Sequence, residues 1–172
     1  MAPQSLDLIE VECLRVALLA SLLGDASDAR GFAACFAADA SFVMPSTYPG
    51  SPVLRRDGLE AMINARPRRI VSRHVMTNMM VTVKSETDVQ GSAYFTHFVG
   101  ALEDADNPSP LPIEGALLSM GEYRYRFAFE ERRWLIKNLV GQFIFGGRFQ
   151  GYWGMNQTPG TSPSVSEQTR FS

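Results

Sequence analysis

The sequence predicts an α+β fold, a cone-shaped curved antiparallel sheet of four to six strands packed with three N-terminal helices. In the first half, apolar residues recur at helical spacing between capping and stop signals. From Ser72 onward, segments rich in Val, Met, Thr and aromatic residues alternate in polarity and are separated by short polar turns. Helices followed by a strand meander are typical of α+β domains. A curved sheet with helices laid into it leaves a cone that can hold a small ligand.

The first two helices are indicated by spacing and end signals. Apolar residues over 8–22 form a helical stripe, and Gly24 follows as a stop signal. Either Ser27 or Asp28 can cap a second helix that extends through Phe36. The chain therefore begins with two consecutive helices.

A short strand and a third helix follow. The apolar run over 40–44 is short enough to be a strand. Asp57 and Glu60 have the spacing of a capping box and predict a helix over 58–65, which Pro67 ends.

The second half predicts four long strands. Consecutive strands joined by short turns are expected to pair antiparallel. The charged turn over 130–133 joins the last two, and a proline-rich loop lies over 103–113. The predicted strands cover residues 72–84, 88–100, 116–129 and 134–145.

Length and composition favour one ordinary globular domain. The 172 residues are 45% hydrophobic and 20% charged, with a formal net charge of −2. We expect one domain over 1–156 and a flexible tail over 157–172, where Gly, Ser, Pro and Gln accumulate. The slight negative charge argues against nucleic acid and membrane surfaces as partners. No signal peptide or membrane span is recognisable, so a soluble, cytoplasmic protein is expected.

The sequence predicts neither a metal nor a nucleotide cofactor. Cys13 and Cys35 lie in apolar helical patterns and are interpreted as buried hydrophobic residues. The only histidines, His74 and His97, form no zinc-like spacing with them. No phosphate-loop, dinucleotide-binding or HExxH motif occurs.

Several motifs occur in an order that resembles a known family. The chain is similar to the SnoaL-like group of the nuclear transport factor 2-like superfamily, and closest in pattern to relatives of scytalone dehydratase. The resemblance covers about residues 8–145. It implies the cone-shaped fold and a range of functions that includes dehydratases, isomerases, polyketide cyclases and the small subunits of aromatic-ring dioxygenases. The motifs are DASD at 25–28, FAADASF at 36–42, RDG at 56–58, RHVMTN at 73–78 and GEY at 121–123.

The resemblance makes His74 and Asp25 the leading catalytic candidates. His74 matches the catalytic histidine that starts this strand in the dehydratase relatives, and an imidazole can both take and give a proton near neutrality. Asp25 matches the aspartate that lies near that histidine, although the tyrosine that precedes it in the family is Gly24 here. From the residues alone, the better interpretation of His74 is a partly buried structural histidine, and only the resemblance reverses that preference. Asp25 can equally be a solvated loop carboxylate.

Strand alternation and what the resemblance implies together provide the remaining candidates. It places His74, Met76, Asn78 and Met80 on one face of their strand, and Tyr123, Tyr125, Phe127 and Phe129 on one face of another. The hydroxyl that polarises a substrate carbonyl, in place of the missing family tyrosine, can come from Tyr48, Tyr94, Tyr123 or Tyr125, and Tyr123 is the catalytic candidate among them. Arg66 and three nearby arginines are interpreted as a solvated surface cluster. The candidate substrate-binding residues are Tyr48, Met76, Asn78, Tyr94, His97, Tyr125, Asn138 and Phe143.

Two classes of function remain. The first is a cofactor-independent lyase or isomerase, a dehydratase, isomerase or cyclase acting on a small apolar oxygenated metabolite such as a polyketide, terpenoid or aromatic intermediate. The second is a binding or structural subunit, such as the small subunit of a ring-hydroxylating dioxygenase. In both cases we expect a homo-oligomer, a dimer or trimer, that covers the arginine-bearing face of strand 116–129.

Overall fold

A computed structural model describes residues 5–43, 53–111 and 117–146. Within these ranges, three helices and six strands alternate in part, and the long strands come last, as expected for an α+β fold. The elements are α1 (Leu6–Asp25), α2 (Ala29–Ala34), β1 (Phe36–Val43), β2 (Val53–Leu54), α3 (Arg56–Asn64), β3 (Ile70–Ser85), β4 (Asp88–Ala101), β5 (Leu117–Glu130) and β6 (Arg133–Gly146). The expected tail over 157–172 and the candidate Tyr48 lie outside the described residues.

Helix α1 approaches the sheet through small side chains. Its buried stripe recurs every three or four residues and includes Cys13, Ala17, Ala20 and Gly24. Small residues let the helix backbone lie close to β3 and β6, the strands that α1 contacts. The end of α1 is thereby brought beside the start of β3.

The predicted helix signals are correct at α2 and wrong at α3. The Asp28 side chain accepts a hydrogen bond from Gly31 N at 2.8 Å, so Asp28 is the cap of α2. The capping box does not form, because α3 begins at Arg56 after an N-cap residue, Arg55, that makes no side-chain cap bond. The carboxylate of Asp57 instead accepts from the neighbouring Gly58 N.

The sheet contains six strands, of which β2 has only two residues, and it is curved and unclosed. The strand order is β2-β1-β6-β5-β4-β3. The four long strands form the predicted antiparallel meander. Strand β1 begins at Phe36, where the sequence predicted helix, and pairs parallel with β6. This pairing joins residues about a hundred positions apart, which local pattern does not reveal.

A β-bulge in β3 corrects the predicted strand alternation. Thr77 pairs with Tyr94 but Met80 pairs with Ser92, so β3 carries one extra residue. Asn78, with φ 52°, adopts a left-handed conformation there. The insertion turns Met79 and Val81 toward the core and leaves Asn78 and Met80 exposed. Asn78 and Met80 therefore do not share the inward face of His74 and Met76, as the alternation predicted.

The inner face of the sheet is aromatic and the outer face is mixed. On β5, Tyr123, Tyr125 and Phe127 are buried, whereas Arg124 and Arg126 on the other face are exposed, as predicted. The helices cover the inner face, and the hydrophobic core lies between the two layers. Within the described ranges, no helix is long and apolar enough to cross a membrane.

Candidate active site

Asp25 and His74 meet where the end of α1 lies against β3. The Asp25 carboxylate makes two contacts with His74, one to the ring and one to the backbone. Oδ1 lies 2.8 Å from Nδ1 of the ring, and Oδ2 accepts a hydrogen bond from the His74 backbone N–H at 2.6 Å. Only 7% of the Asp25 side chain and 16% of the His74 side chain is exposed. The two residues that the family resemblance paired are therefore in direct contact, held in one orientation by two bonds.

The surroundings keep Asp25 ionised. Burial alone raises the pKa of the Asp25 carboxyl, but its hydrogen bonds to His74, the His74 charge and a hydrogen bond from Ser72 together lower the pKa below its ordinary value. At neutral pH the residue is a carboxylate, and a carboxylate only accepts hydrogen bonds.

The ionised carboxylate determines the tautomer of the neutral His74 ring. Because Asp25 Oδ1 can only accept, Nδ1 of His74 must carry the hydrogen in their contact. In the neutral ring the lone pair is then on Nε2. Nε2 makes no hydrogen bond to the described residues, so it is the nitrogen that can exchange a proton with a bound molecule.

Two residues that the sequence interpretation missed support the pair. Ser72 Oγ donates to Asp25 Oδ1 at 2.7 Å, and Arg66 Nη1 contacts Ser72 Oγ at 3.1 Å. The interpretation of Arg66 as part of a solvated cluster is wrong, since Arg66 is half-buried in this network, whereas Arg68 is exposed as expected. Ser72 was identifiable in principle, because it precedes His74 by two residues on the same strand face; Arg66 carried no such signal.

His97 lies directly opposite His74 on the neighbouring strand. The two rings are stacked, with centroids 4.0 Å apart. His97 and Ser119 are cross-strand partners on β4 and β5, and His97 Nε2 and Ser119 Oγ are buried with no hydrogen-bond partner within the described part of the chain. Burial, together with the His74 charge, lowers the pKa of His97 to about 3. His97 is therefore a neutral imidazole beside an unpartnered hydroxyl, and buried groups of this kind usually have a partner.

An aromatic wall adjoins the histidines. The Phe95 ring stacks on Tyr123 at 4.3 Å and meets the edge of Phe143 at 5.7 Å. Gly121 allows this packing, because a Cβ there would lie 2.7 Å from the Phe95 ring and 2.0 Å from the Gln142 carbonyl oxygen. Burial raises the pKa of Tyr123, so its hydroxyl keeps its proton and remains a donor.

The predicted site residues fall into three groups. His97, Tyr123 and Phe143 adjoin the His74 pair directly or through Phe95, and Met76 is half-buried on the same side of the sheet. Tyr125 lies in the core two residues after Tyr123 on β5, where its ring stacks on Phe127.

The third group lies away from His74. Tyr94 is 56% exposed, because it alternates with the inward-facing Phe95. Asn138 pairs across the sheet with the exposed Arg126, and its side chain donates to Ser41 Oγ at 2.7 Å. Asn78 is exposed at the bulge. Ser119 is the inward residue on β5 that the predicted face left out, although it precedes Gly121 by two residues.

No metal-binding cluster of three His, Cys, Asp or Glu side chains occurs in residues 5–43, 53–111 and 117–146. The ionisable groups at the site include the Asp25–His74 pair and a second histidine, His97, whose lowered pKa keeps it neutral. These residues supply proton transfer and hydrogen bonding.

Comparison with known proteins gives one family and one fold. The family model described as a SnoaL-like domain matches residues 9–140. Aln2 from a Streptomyces species is 23% identical with a TM-score of 0.62, over 81% of this chain and 93% of that chain. A proposed scytalone dehydratase from Novosphingobium aromaticivorans is 15% identical with a TM-score of 0.63, over 88% and 97%.

A third solved structure has a different kind of role. The beta subunit of the benzoate 1,2-dioxygenase from Burkholderia mallei is 18% identical with a TM-score of 0.60, over 83% of this chain and 93% of that chain. A comparison with curated proteins finds no match. At these identities the solved structures show a shared nuclear transport factor 2-like fold, and the activity must be argued from the site.

Proposed function

Because the chain belongs to the SnoaL-like family, we propose that it is a cofactor-independent enzyme that moves a proton on a small, apolar, oxygenated metabolite. Dehydration, isomerisation or cyclisation of a polyketide, terpenoid or aromatic intermediate fits this description. One observation carries the proposal, the 2.8 Å contact between Asp25 Oδ1 and His74 Nδ1, which leaves Nε2 unbonded among the described residues.

His74 is the acid and base in this scheme. Its Nε2 lone pair removes a proton from a carbon next to a carbonyl group of the substrate. In a dehydration, the C–H electron pair becomes the new double bond, and the hydroxyl group leaves with the C–O electron pair. That hydroxyl takes the proton back from Nε2 and departs as water, so the histidine returns to its starting state. Asp25 stabilises the imidazolium that exists between the two transfers.

The neighbouring polar groups suit a substrate oxygen. Carbon acids become more acidic when their carbonyl oxygen accepts hydrogen bonds, since the negative charge develops on that oxygen. Tyr123 supplies a hydroxyl that stays protonated, and the unpartnered His97 Nε2 and Ser119 Oγ supply further hydrogen-bonding atoms. The aromatic side chains of Phe95 and Phe143 suit an apolar ring.

A second candidate function rests on the likeness to the dioxygenase beta subunit. A chain in that role would pack against a larger catalytic subunit, and its own Asp25–His74 pair would be a structural contact. Purification of the protein at its natural expression level distinguishes the two. A stable complex with an iron-containing subunit favours the subunit role, and an active isolated protein excludes it.

The enzymatic proposal is tested by proton exchange and turnover. The purified protein is incubated in D₂O with hydroxylated aromatic and polyketide-type ketones, and deuterium incorporation and water loss are followed by mass spectrometry. His74→Ala should lower the rate by roughly 100- to 10,000-fold, the usual contribution of acid–base catalysis. Asp25→Asn should act in the same direction. Glu86→Gln, an exposed carboxylate at the β3–β4 turn, is the matched control. Equal rates for wild type and His74→Ala would contradict the proposal.

A further inference from the structure

We infer that Arg66 and Ser72 are positioning residues that set the direction of the hydrogen bonds around Asp25 and thereby hold His74 in its reactive tautomer. The inference deepens the proposed function, since it concerns the same site. It rests on three contacts: Arg66 to Ser72 at 3.1 Å, Ser72 to Asp25 at 2.7 Å, and Asp25 to His74 at 2.8 Å.

The donor and acceptor roles in this series of hydrogen bonds follow from the chemistry of Arg66. A guanidinium group donates hydrogen bonds and cannot accept them. Ser72 Oγ must therefore accept from Arg66, and its single hydrogen is left for Asp25 Oδ1. Asp25 then receives donors from Ser72, the His74 ring and the His74 backbone N–H. Three donors hold Asp25 as a carboxylate and leave Nδ1 of His74 no role but that of donor.

Arg66 also fixes the distance between the two elements that carry the pair. The same Nη1 donates to the carbonyl oxygen of Gly24, the residue before Asp25 on α1, at 2.9 Å. One nitrogen thus bridges the end of α1 and the start of β3, where Ser72 is 3% exposed. Burial lowers the pKa of Arg66 and the Asp25 charge opposes that shift, so the guanidinium and the carboxylate interact although they do not touch.

The role requires a donor-only group at residue 66 and a hydroxyl at residue 72. Arg66→Gln places a side chain there that can also accept, so the Ser72 hydrogen is free to turn away from Asp25. Ser72→Ala removes the bond to Asp25 outright. Ser72→Thr keeps the hydroxyl and should behave as wild type. Arg68→Ala removes a neighbouring exposed arginine and is the control for charge alone.

The test follows the titration of Asp25 and the tautomer of His74 by NMR, which needs no substrate. Protein labelled with ¹³C-aspartate reports the Asp25 carboxyl, assigned with Asp25→Asn. Protein labelled with ¹⁵N-histidine reports both ring nitrogens of the two histidines in the chain, assigned with His97→Phe. In Ser72→Ala and Arg66→Gln the Asp25 midpoint should rise relative to wild type, because a hydrogen bond that favours the carboxylate is lost or weakened. The His74 signals should move from pure Nδ1–H toward a tautomer mixture.

Unchanged midpoints and tautomers in both variants would overturn the inference. If Ser72→Ala does not fold, Arg66→Gln alone decides, because its midpoint is compared directly with that of Arg68→Ala. The result is independent of the proposed function. A wild-type protein that is inactive on every compound tested counts against the enzyme, whereas unshifted Asp25 resonances count against the positioning role even in an active enzyme.

Discussion

His74 and His97 are cross-strand partners on β3 and β4, and their rings stack with centroids 4.0 Å apart. Two imidazolium rings at this distance would repel each other, and burial further disfavours charge on His97. Burial and the charge of His74 together lower the pKa of His97 to about 3, so His97 is a neutral imidazole at neutral pH.

The neutral state of His97 predicts a loss of stability on acidification. The pKa of His97 falls from 6.5 to about 3 on folding, so the unfolded chain binds more protons between these values. The contribution of neutral His97 to the free energy of unfolding is fully present above pH 6.5 and is lost as the pH falls toward 3. Between pH 7.5 and 5 the free energy of unfolding should decrease by about 2 kcal/mol through this residue. His97→Phe should remove this part of the pH dependence, measured by urea unfolding at each pH. An identical slope in wild type and variant would contradict the prediction.

Tyr123 should contribute its hydroxyl to catalysis and its ring to packing. Tyr123→Phe keeps the stacking on Phe95 and removes the one donor, so the melting temperature should change little. Turnover in the deuterium-exchange assay should fall by about 100-fold, as for the loss of one donor to a developing oxyanion. Tyr94→Phe, on the exposed face, is the matched control. Equal losses in the two variants would argue against a specific role of the Tyr123 hydroxyl.

The β5–β6 turn offers a stabilising substitution. Glu131 and Arg132 join the strands with φ of 52° and 64°, the left-handed region that favours glycine. Arg132→Gly should therefore raise the free energy of unfolding by up to about 1 kcal/mol. Thermal unfolding should shift upward by roughly 2–4 °C for a chain of this size. Arg124→Gly, in the middle of β5, should destabilise instead. A lower melting temperature for Arg132→Gly would show that its side chain contributes more than the backbone strain costs.

We propose that the outer sheet face is an interface between copies of this chain. Val75, Thr96, Met120 and Phe145 are aligned in one row across four strands, and Val75, Met120 and Phe145 are 48%, 42% and 67% exposed. Contiguous exposed apolar surface of this kind often marks an interface. Light scattering at micromolar concentration should give a dimer or trimer for wild type and a smaller species for Met120→Arg. Glu86→Arg, at the β3–β4 turn, should assemble normally. A monomeric wild type would contradict the proposal.

Local pattern was sufficient for the parts of the molecule that interact over short stretches of sequence. The two long hairpins follow from alternating segments separated by short turns, and the first two helices from apolar spacing together with cap and stop signals. The inward face of β5 was predicted correctly because no bulge interrupts the alternation between Tyr123 and Phe127 on the β4 side. The pairing of Asp25 with His74 required the family resemblance, since 49 residues separate them.

Tertiary structure decided the β3 bulge, the β1–β6 pairing and the position of Arg66, because these features depend on where distant elements meet. One inserted residue at Asn78 reversed the faces of the second half of β3, and backbone conformation at a single asparagine leaves no periodic signal. The parallel pairing of β1 with β6 joins opposite ends of the domain. Arg66 belongs to a charged run that is indistinguishable from solvated surface by composition. It becomes part of the site because the segment after α3 brings its guanidinium to Gly24, near the end of α1, and to Ser72, near the start of β3, where it forms hydrogen bonds and is half-buried.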